Sequence, residues 1–157
     1  MSVTIRAERI GSLLTEILGR KVDVKTISAF PVTGSDPTLT AVYETSEGTV
    51  VGACICDLDL VLNAGAALCL IPPYEVQENV KAKKWDPALV ENFKEVLNIC
   101  AQLFSERPAL RVKLESVCLD KEARSPKSAA LLAKPGKRLH LQLAITGYGS
   151  GRIAIFT

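Results

Sequence analysis

Four polar residues, Glu91, Glu95, Asn98 and Gln102, recur at spacings of four, three and four within Pro87 to Ser105. The apolar positions of the same run, Leu89, Phe93, Val96, Leu97, Cys100 and Phe104, repeat at helical spacing. At 3.6 residues per turn the two sets fall on opposite faces, so a carboxylate and a carboxamide stand one turn apart on an exposed surface. An amide can both donate to and accept from a water molecule, and a carboxylate can hold a cation. That is a chemistry of positioning, which needs neither a perturbed pKa nor a deep pocket. Glu91 and Glu95, four apart, repel slightly, whereas a lysine at one of those places would stabilise the helix by roughly 0.2–0.5 kcal/mol. This is a hint of a second use, set against the plainer reading of a solvated helix face.

Other constellations are weaker. Gly147-Tyr148-Gly149-Ser150-Gly151 opens no helix and lacks the spacings of phosphate-binding loops, so it reads as a hairpin turn. His140, the one histidine, sits on the polar alternate side of Leu139, Leu141 and Leu143 and reads as an exposed strand residue with no nucleophile beside it. Asp57 and Asp59 read as caps and turn residues before an acid pair. The basic residues Arg124, Lys127, Lys134, Lys137 and Arg138 read as a solvated loop. Five cysteines, Cys54, Cys56, Cys69, Cys100 and Cys118, include no CxxC pair, and with a single histidine they offer little to a metal; they read as small core hydrophobes in a reducing, cytoplasmic setting.

The elements that must position the polar stripe follow from periodicity and punctuation. A first amphipathic helix carries Ile10, Leu13, Leu14, Ile17 and Leu18 and stops at Gly19. Strand-like runs follow at Val22–Phe30, Leu39–Thr45 and Thr49–Cys56, the last two joined by Ser46-Glu47-Gly48. Leu60–Leu70 reads as a helix capped by Asp57 or Asp59, buried nearly all round, with Ala64 to Ala67 as a close-packing surface. Tyr74–Trp85, polar and lysine-bearing, reads as a surface connection. Asp86-Pro87 opens the longest helix. Leu110–Leu119 returns to strand, Ser125-Pro126 opens a short helical segment to Leu132, and Leu139–Ile145 and Arg152–Phe156 close the chain as strands. No clear internal repeat is visible, although a helix after each strand group leaves room for a diverged pseudo-repeat. The order gives an α+β fold, an antiparallel sheet with helices packed on one side, in a single domain spanning 1–157.

On the run Glu91-Asn92-Phe93-Lys94-Glu95-Val96-Leu97-Asn98-Ile99, the sequence resembles the CheC/CheX/FliM family of chemotaxis phosphatases and flagellar switch proteins. The family signature is a helix carrying E-x-x-N, matched here by Glu95 and Asn98. Glu91 stands where the pattern has Asp or Ser, Gln102 replaces a small residue, and the signature proline some twenty residues after Asn98 is absent. Element order over nearly the whole chain is similar to CheX. The resemblance implies removal of phosphate from the aspartyl-phosphate of a CheY-like response regulator. Asn98 would orient the water and Glu95 would clamp the partner, with Glu91 and Gln102 as flanking partner contacts. The receiver would bring its own Mg²⁺, so no cofactor is implied on this chain. It also implies a homodimer formed through sheet edges, for which Arg152–Phe156 is the expected edge.

Length and composition bound these readings. At 157 residues, 48% hydrophobic and 23% charged, the chain can build one core without staples. A formal charge of +2 gives no basic excess for nucleic acid or an anionic membrane. The longest apolar run, Leu58–Pro72, is broken by Asp59 and Asn63, which argues against a membrane span. Two further readings stand beside the phosphatase: a non-catalytic module that docks a response regulator or another cytoplasmic protein, and a small-molecule sensor with a pocket under Leu60–Leu70.

Overall fold

Leu139, Leu141, Leu143 and Ile145 alternate with His140, Gln142 and Ala144, and they line one face of a six-stranded antiparallel sheet. The computed structural model describes residues 4–28, 36–105, 110–120, 126–133 and 136–157. The strands are β1 (Val22–Thr26), β2 (Thr38–Thr45), β3 (Val50–Asp57), β4 (Val112–Leu119), β5 (Arg138–Ile145) and β6 (Gly149–Phe156). Their spatial order is β1-β5-β6-β3-β2-β4. Helices α1 (Ala7–Leu18), α2 (Leu58–Leu68), α3 (Gln77–Ala82), α4 (Pro87–Cys100) and α5 (Pro126–Ala133) complete the described elements.

The strand order reads the same from both ends when β1, β2 and β3 are exchanged with β4, β5 and β6. Each half has a helix followed by three strands, α1-β1-β2-β3 and α4-β4-β5-β6, with α5 inserted between β4 and β5, and the halves meet where β3 pairs with β6 (Cys54 opposite Ile155). The first strand of each half pairs with the other half: β1 with β5, β4 with β2. This is a pseudo-twofold topology that no residue pattern betrays.

The main core lies between the sheet and helices α1, α2 and α4, where Leu14, Val61, Phe93 and Leu97 meet Tyr43, Cys54, Leu143 and Ile155. Burying these side chains is the dominant stabilising term, roughly 1.5–3 kcal/mol for each large one. The short α5 contacts β3 on the reverse face, where Leu132 and Ile27 cover Ile55, Ala154 and Phe156. The α+β class and antiparallel sheet are as expected, and α5 adds a small cover behind the sheet.

Three local expectations are corrected. The connection Tyr74–Trp85 is not an open surface loop: a 3-10 turn (Pro73–Glu75) leads into α3, and Val76, fully buried, joins Leu58, Leu62, Ala66 and Leu89 in a second cluster with Val80 beside it. Val76 and Val80, four apart, were its signal. Gly149 and Gly151 belong to β6 rather than to a long turn, and the hairpin tightens to Ile145–Tyr148, closed by the Tyr148 amide on the Ile145 carbonyl at 2.9 Å. Glycine at 151 reflects close approach, since a Cβ there would lie 2.4 Å from the Leu60 backbone. Finally, Arg152–Phe156 is no edge: β6 lies between β5 and β3, and the outer strands are β1 and β4. Phe30, Gly34, Ser35, Pro108 and Ser125 lie outside the described residues.

Asp57 ties α2 to the sheet. Its carboxylate caps α2 at the Leu60 amide (2.9 Å) and accepts from the backbone and Nε of Arg152 (3.0 and 3.1 Å). Asp59, the other expected cap, instead holds Lys83 at 2.8 Å. Burial raises the Asp57 pKa despite the hydrogen bonds that lower it. A folded-state pKa above the unfolded value means the folded protein binds the proton more tightly. Its contribution is therefore present at low pH and is lost as pH rises through the raised value. Melting curves should show the wild-type Tm falling relative to Asp57→Asn as pH rises from about 4, the ordinary carboxylate range; parallel profiles would refute this.

The cysteines are unpaired, and Cys69 alone among them is exposed. Burial pushes the Cys100 thiol to about 12 and Cys56 well above its usual value. Mass spectrometry after brief alkylation at neutral pH should therefore find Cys69 modified, with Cys54, Cys56 and Cys100 protected until denaturant is added.

Candidate functional site

Helix α4 is fastened at both ends and along its inner face. Asp86 caps it by accepting from the Ala88 amide at 3.0 Å, and Pro87 takes the first helical position. Leu89, Val90, Phe93, Val96 and Leu97 are buried. Beside Leu89, α2 has Gly65, where a Cβ would lie 2.4 Å from the Leu89 carbonyl oxygen; Asn92 then donates to the Gly65 carbonyl at 3.0 Å. No larger residue permits that approach without shifting backbone.

The far end is held by an aromatic clamp. The α-helix stops at Cys100 and continues as a 3-10 turn, Ala101–Phe104. There the Ala101 amide turns to the Asn98 carbonyl, which leaves the Leu97 carbonyl without its helical donor. Tyr43, fully buried on β2, supplies one: its hydroxyl donates to Leu97 at 2.8 Å. Its ring stacks on Phe104 at 4.3 Å between centroids. Asn98 follows the clamped residue directly.

The polar stripe occupies the outer face as expected, but its four members differ. Glu91, Glu95, Asn98 and Gln102 are all exposed. Glu91 is paired with Lys94 at 2.8 Å, one turn on. Gln102 lies in the 3-10 turn rather than the α-helix; its Oε1 accepts from Arg9 of α1 at 2.9 Å and its Nε2 donates to the Ile99 carbonyl at 3.2 Å. Glu95 and Asn98, by contrast, have side chains with no hydrogen-bonding partner among the described residues. The helix thus presents one free carboxylate and one free amide, one turn apart, on a backbone that packing holds still.

The other half of the fold has no such pair. Matching the buried Ile10, Leu13 and Leu14 of α1 with Phe93, Val96 and Leu97 of α4 puts Ser12 and Thr15 where Glu95 and Asn98 stand. Thr15 is occupied, its hydroxyl accepting from the Val22 amide at 3.0 Å.

The remaining candidates are structural. His140 is half-buried rather than exposed, edge-on to Phe156 with 6.4 Å between centroids; burial, then Arg138, lowers its pKa. Arg138 lies over the Phe156 ring at 5.3 Å and donates to the Leu132 carbonyl at 3.0 Å, while Lys137 bonds to Thr4. Arg124 and Lys134 lie outside the described residues. Beneath α2 the interior cavity measures about 30 Å³ and is walled by apolar side chains such as Leu14, Ala64 and Phe93, so it suits no ligand larger than water. Among the described residues no three His, Cys, Asp or Glu side chains converge on a common point that a metal could fill, and no helix is long and apolar enough to cross a membrane.

An open groove of about 1050 Å³, not anticipated from the sequence, runs from Asn98, Ile99 and Gln102 to Arg111 and Lys113 at the start of β4. Its signal was present in the alternation of Arg111 and Lys113 with Val112 and Leu114. That signal lacked any indication that β4 would be an edge.

The fold is that of the CheC/CheX/FliM proteins. A FliM in a FliM–SpeE complex from H. pylori matches with a TM-score of 0.65 at 12% identity, over 96% of this chain and 80% of that one. CheX of Borrelia burgdorferi, solved with CheY, BeF3 and Mg²⁺, matches at 0.51 and 11% identity over 98% of each chain. A CheX from Desulfovibrio desulfuricans matches at 0.52 and 8% identity, over 94% and 93%. No family model and no curated protein matches the sequence.

Removing the Tyr43 hydroxyl tests the clamp. Tyr43→Phe leaves the Leu97 carbonyl buried without a donor and should cost about 1–3 kcal/mol in denaturant unfolding. An unchanged midpoint would show that the clamp does not hold the helix end.

Proposed function

We propose that this protein acts on a phosphorylated CheY-like response regulator and speeds hydrolysis of its aspartyl-phosphate. The observation that carries the reading is the freedom of Glu95 and Asn98 on a helix whose other polar neighbours are engaged. Asn98 presents an amide that can accept from and donate to one water molecule, holding it in line with the phosphorus. The water oxygen bonds to phosphorus as the bond to the aspartyl oxygen breaks. The products are inorganic phosphate and the free carboxylate, with the water's proton leaving on phosphate. Glu95, one turn away, pairs with a cation of the receiver and fixes the docking angle. The divalent cation in this reading is the receiver's own. The likeness in fold to a CheX solved with CheY supports the choice of partner, and an exposed site suits chemistry completed at a protein interface.

A second reading is favoured by one observation: the FliM domain superposes at 0.65, against 0.51 for the CheX. Under it the chain docks a response regulator or another protein without catalysis, and binding survives loss of Asn98.

The test is phosphate release from a panel of CheY-like receivers phosphorylated with a small-molecule phosphodonor. Wild type should accelerate release from at least one. Asn98→Ala should lower the maximal rate by roughly 10²-fold with little change in binding, as loss of a positioned reactant does. Glu95→Ala should act mainly on the concentration needed for half-maximal effect. A receiver that binds wild type and Asn98→Ala alike, with no acceleration by either, would establish the docking module instead.

A further inference from the structure

We infer that the groove between the end of α4 and the start of β4 is a docking channel for an extended acidic segment of the partner protein, entering beside Asn98. The proposal deepens the preceding reading and rests on it for the identity of the partner, but the channel's chemistry stands on its own observations.

The groove begins at Asn98 and the apolar side chain of Ile99, which is 43% exposed. It passes Gln102 and Ser105 and ends along Arg111, Val112 and Lys113. Among its described lining residues the charge is of one sign. Arg111 is exposed, with no charged partner among the described residues. Arg9 reaches over from α1, its guanidinium 2.9 Å from the Gln102 oxygen. Lys113 is partly neutralised by Glu44, a buried β2 residue outside the groove lining, at 3.8 Å. Glu95 and Glu91 lie on α4 beyond Asn98, outside the groove lining. The surface is therefore bipolar: free acid before Asn98, cations after it.

The strand that forms the outer wall adds a second attraction. β4 is the outermost strand at its end of the sheet, pairing with β2 on one side only among the described residues. An extended chain laid beside it can satisfy its open backbone groups, while acidic side chains meet Arg111 and Lys113. A partner docked this way puts a cation against Glu95, its reacting group at Asn98 and an acidic strand in the channel. Two charged contacts of opposite sign, one on each side of the neutral Asn98, would set a single orientation and reject partners with the opposite pattern.

The experiment uses the full chain and a fluorescein-labelled synthetic peptide of alternating aspartate or glutamate and valine, with a lysine-for-acid peptide as control. Fluorescence anisotropy at low and physiological salt should show the acidic peptide binding, the basic one not, and affinity falling with salt. Arg111→Glu should weaken binding roughly five- to tenfold, as reversal of an exposed charge does. Lys25→Glu, a reversal of an exposed charge on β1 at the opposite edge of the sheet, should leave it unchanged. Arg111 is exposed and its side chain makes no hydrogen bond or ion pair among the described residues, so its replacement should leave the fold intact; Arg111→Gln, with an intermediate loss, provides the second variant. Equal binding by wild type and Arg111→Glu, or no preference for the acidic peptide, overturns the channel. Self-association in sedimentation that the peptide cannot displace would overturn it too, by making the β4 edge an interface between copies. If the peptide binds as expected but no receiver binds or loses phosphate faster, the channel stands and the phosphatase reading falls.

Discussion

The geometry of the outer face depends on how the last turn of α4 is ended. An α-helix that stops leaves carbonyls unpaired, and a buried unpaired carbonyl costs free energy of the same order as a lost hydrogen bond. Here the tightening to a 3-10 turn frees the Leu97 carbonyl inside the core, and Tyr43 is the group that answers it. The same ring stacks against Phe104, so one side chain of β2 sets the helix's rotation and the path of the chain beyond. Asn98 is placed on the surface by a bond made in the interior.

The inner contacts explain why a site of this kind can be exposed without being loose. Gly65 lets α2 and α4 touch backbone to backbone, and Asn92 bridges them. Lys94 and Arg9 engage the outer members of the stripe, Glu91 and Gln102. Side chains that share a face thus divide into those that hold the helix and those left for a partner. A free amide on a fixed backbone loses little conformational freedom when it captures a water, which is what positioning chemistry asks for.

Much of this was legible in the sequence, for identifiable reasons. Apolar repeats at 3.6 and at two gave α1, α2, α4 and the strands within a few residues, because burial on one face imposes those periods. The stripe Glu91–Glu95–Asn98–Gln102 was visible for the same reason. The division within it was not, since Arg9 lies 93 residues from Gln102 and no local rule joins them. α3 was missed because its inward face amounts to Val76 and Val80 in a lysine-rich stretch. β6 was misplaced as an edge because a strand of small and apolar residues can be central or terminal, and only the pairing decides. The acid of Asp57, read as a cap, also proved to be the partner of Arg152 on a distant strand.

The interleaved strand order has a consequence for how the chain reaches this state. Each half keeps only a hairpin of its own, β2 with β3 and β5 with β6: β1 finds its neighbour only in β5, with Val22 opposite Ile145, and β4 must dock on β2 from the other half. Locally the early residues gain only the packing of α1 on β1 and the β2–β3 hairpin, so completion of the sheet waits on closure of long loops. A ribosome-bound chain lacking β5 would leave β1 without a template. The two halves are interlocked, and a cut between α3 and α4 would yield fragments that fold only on each other.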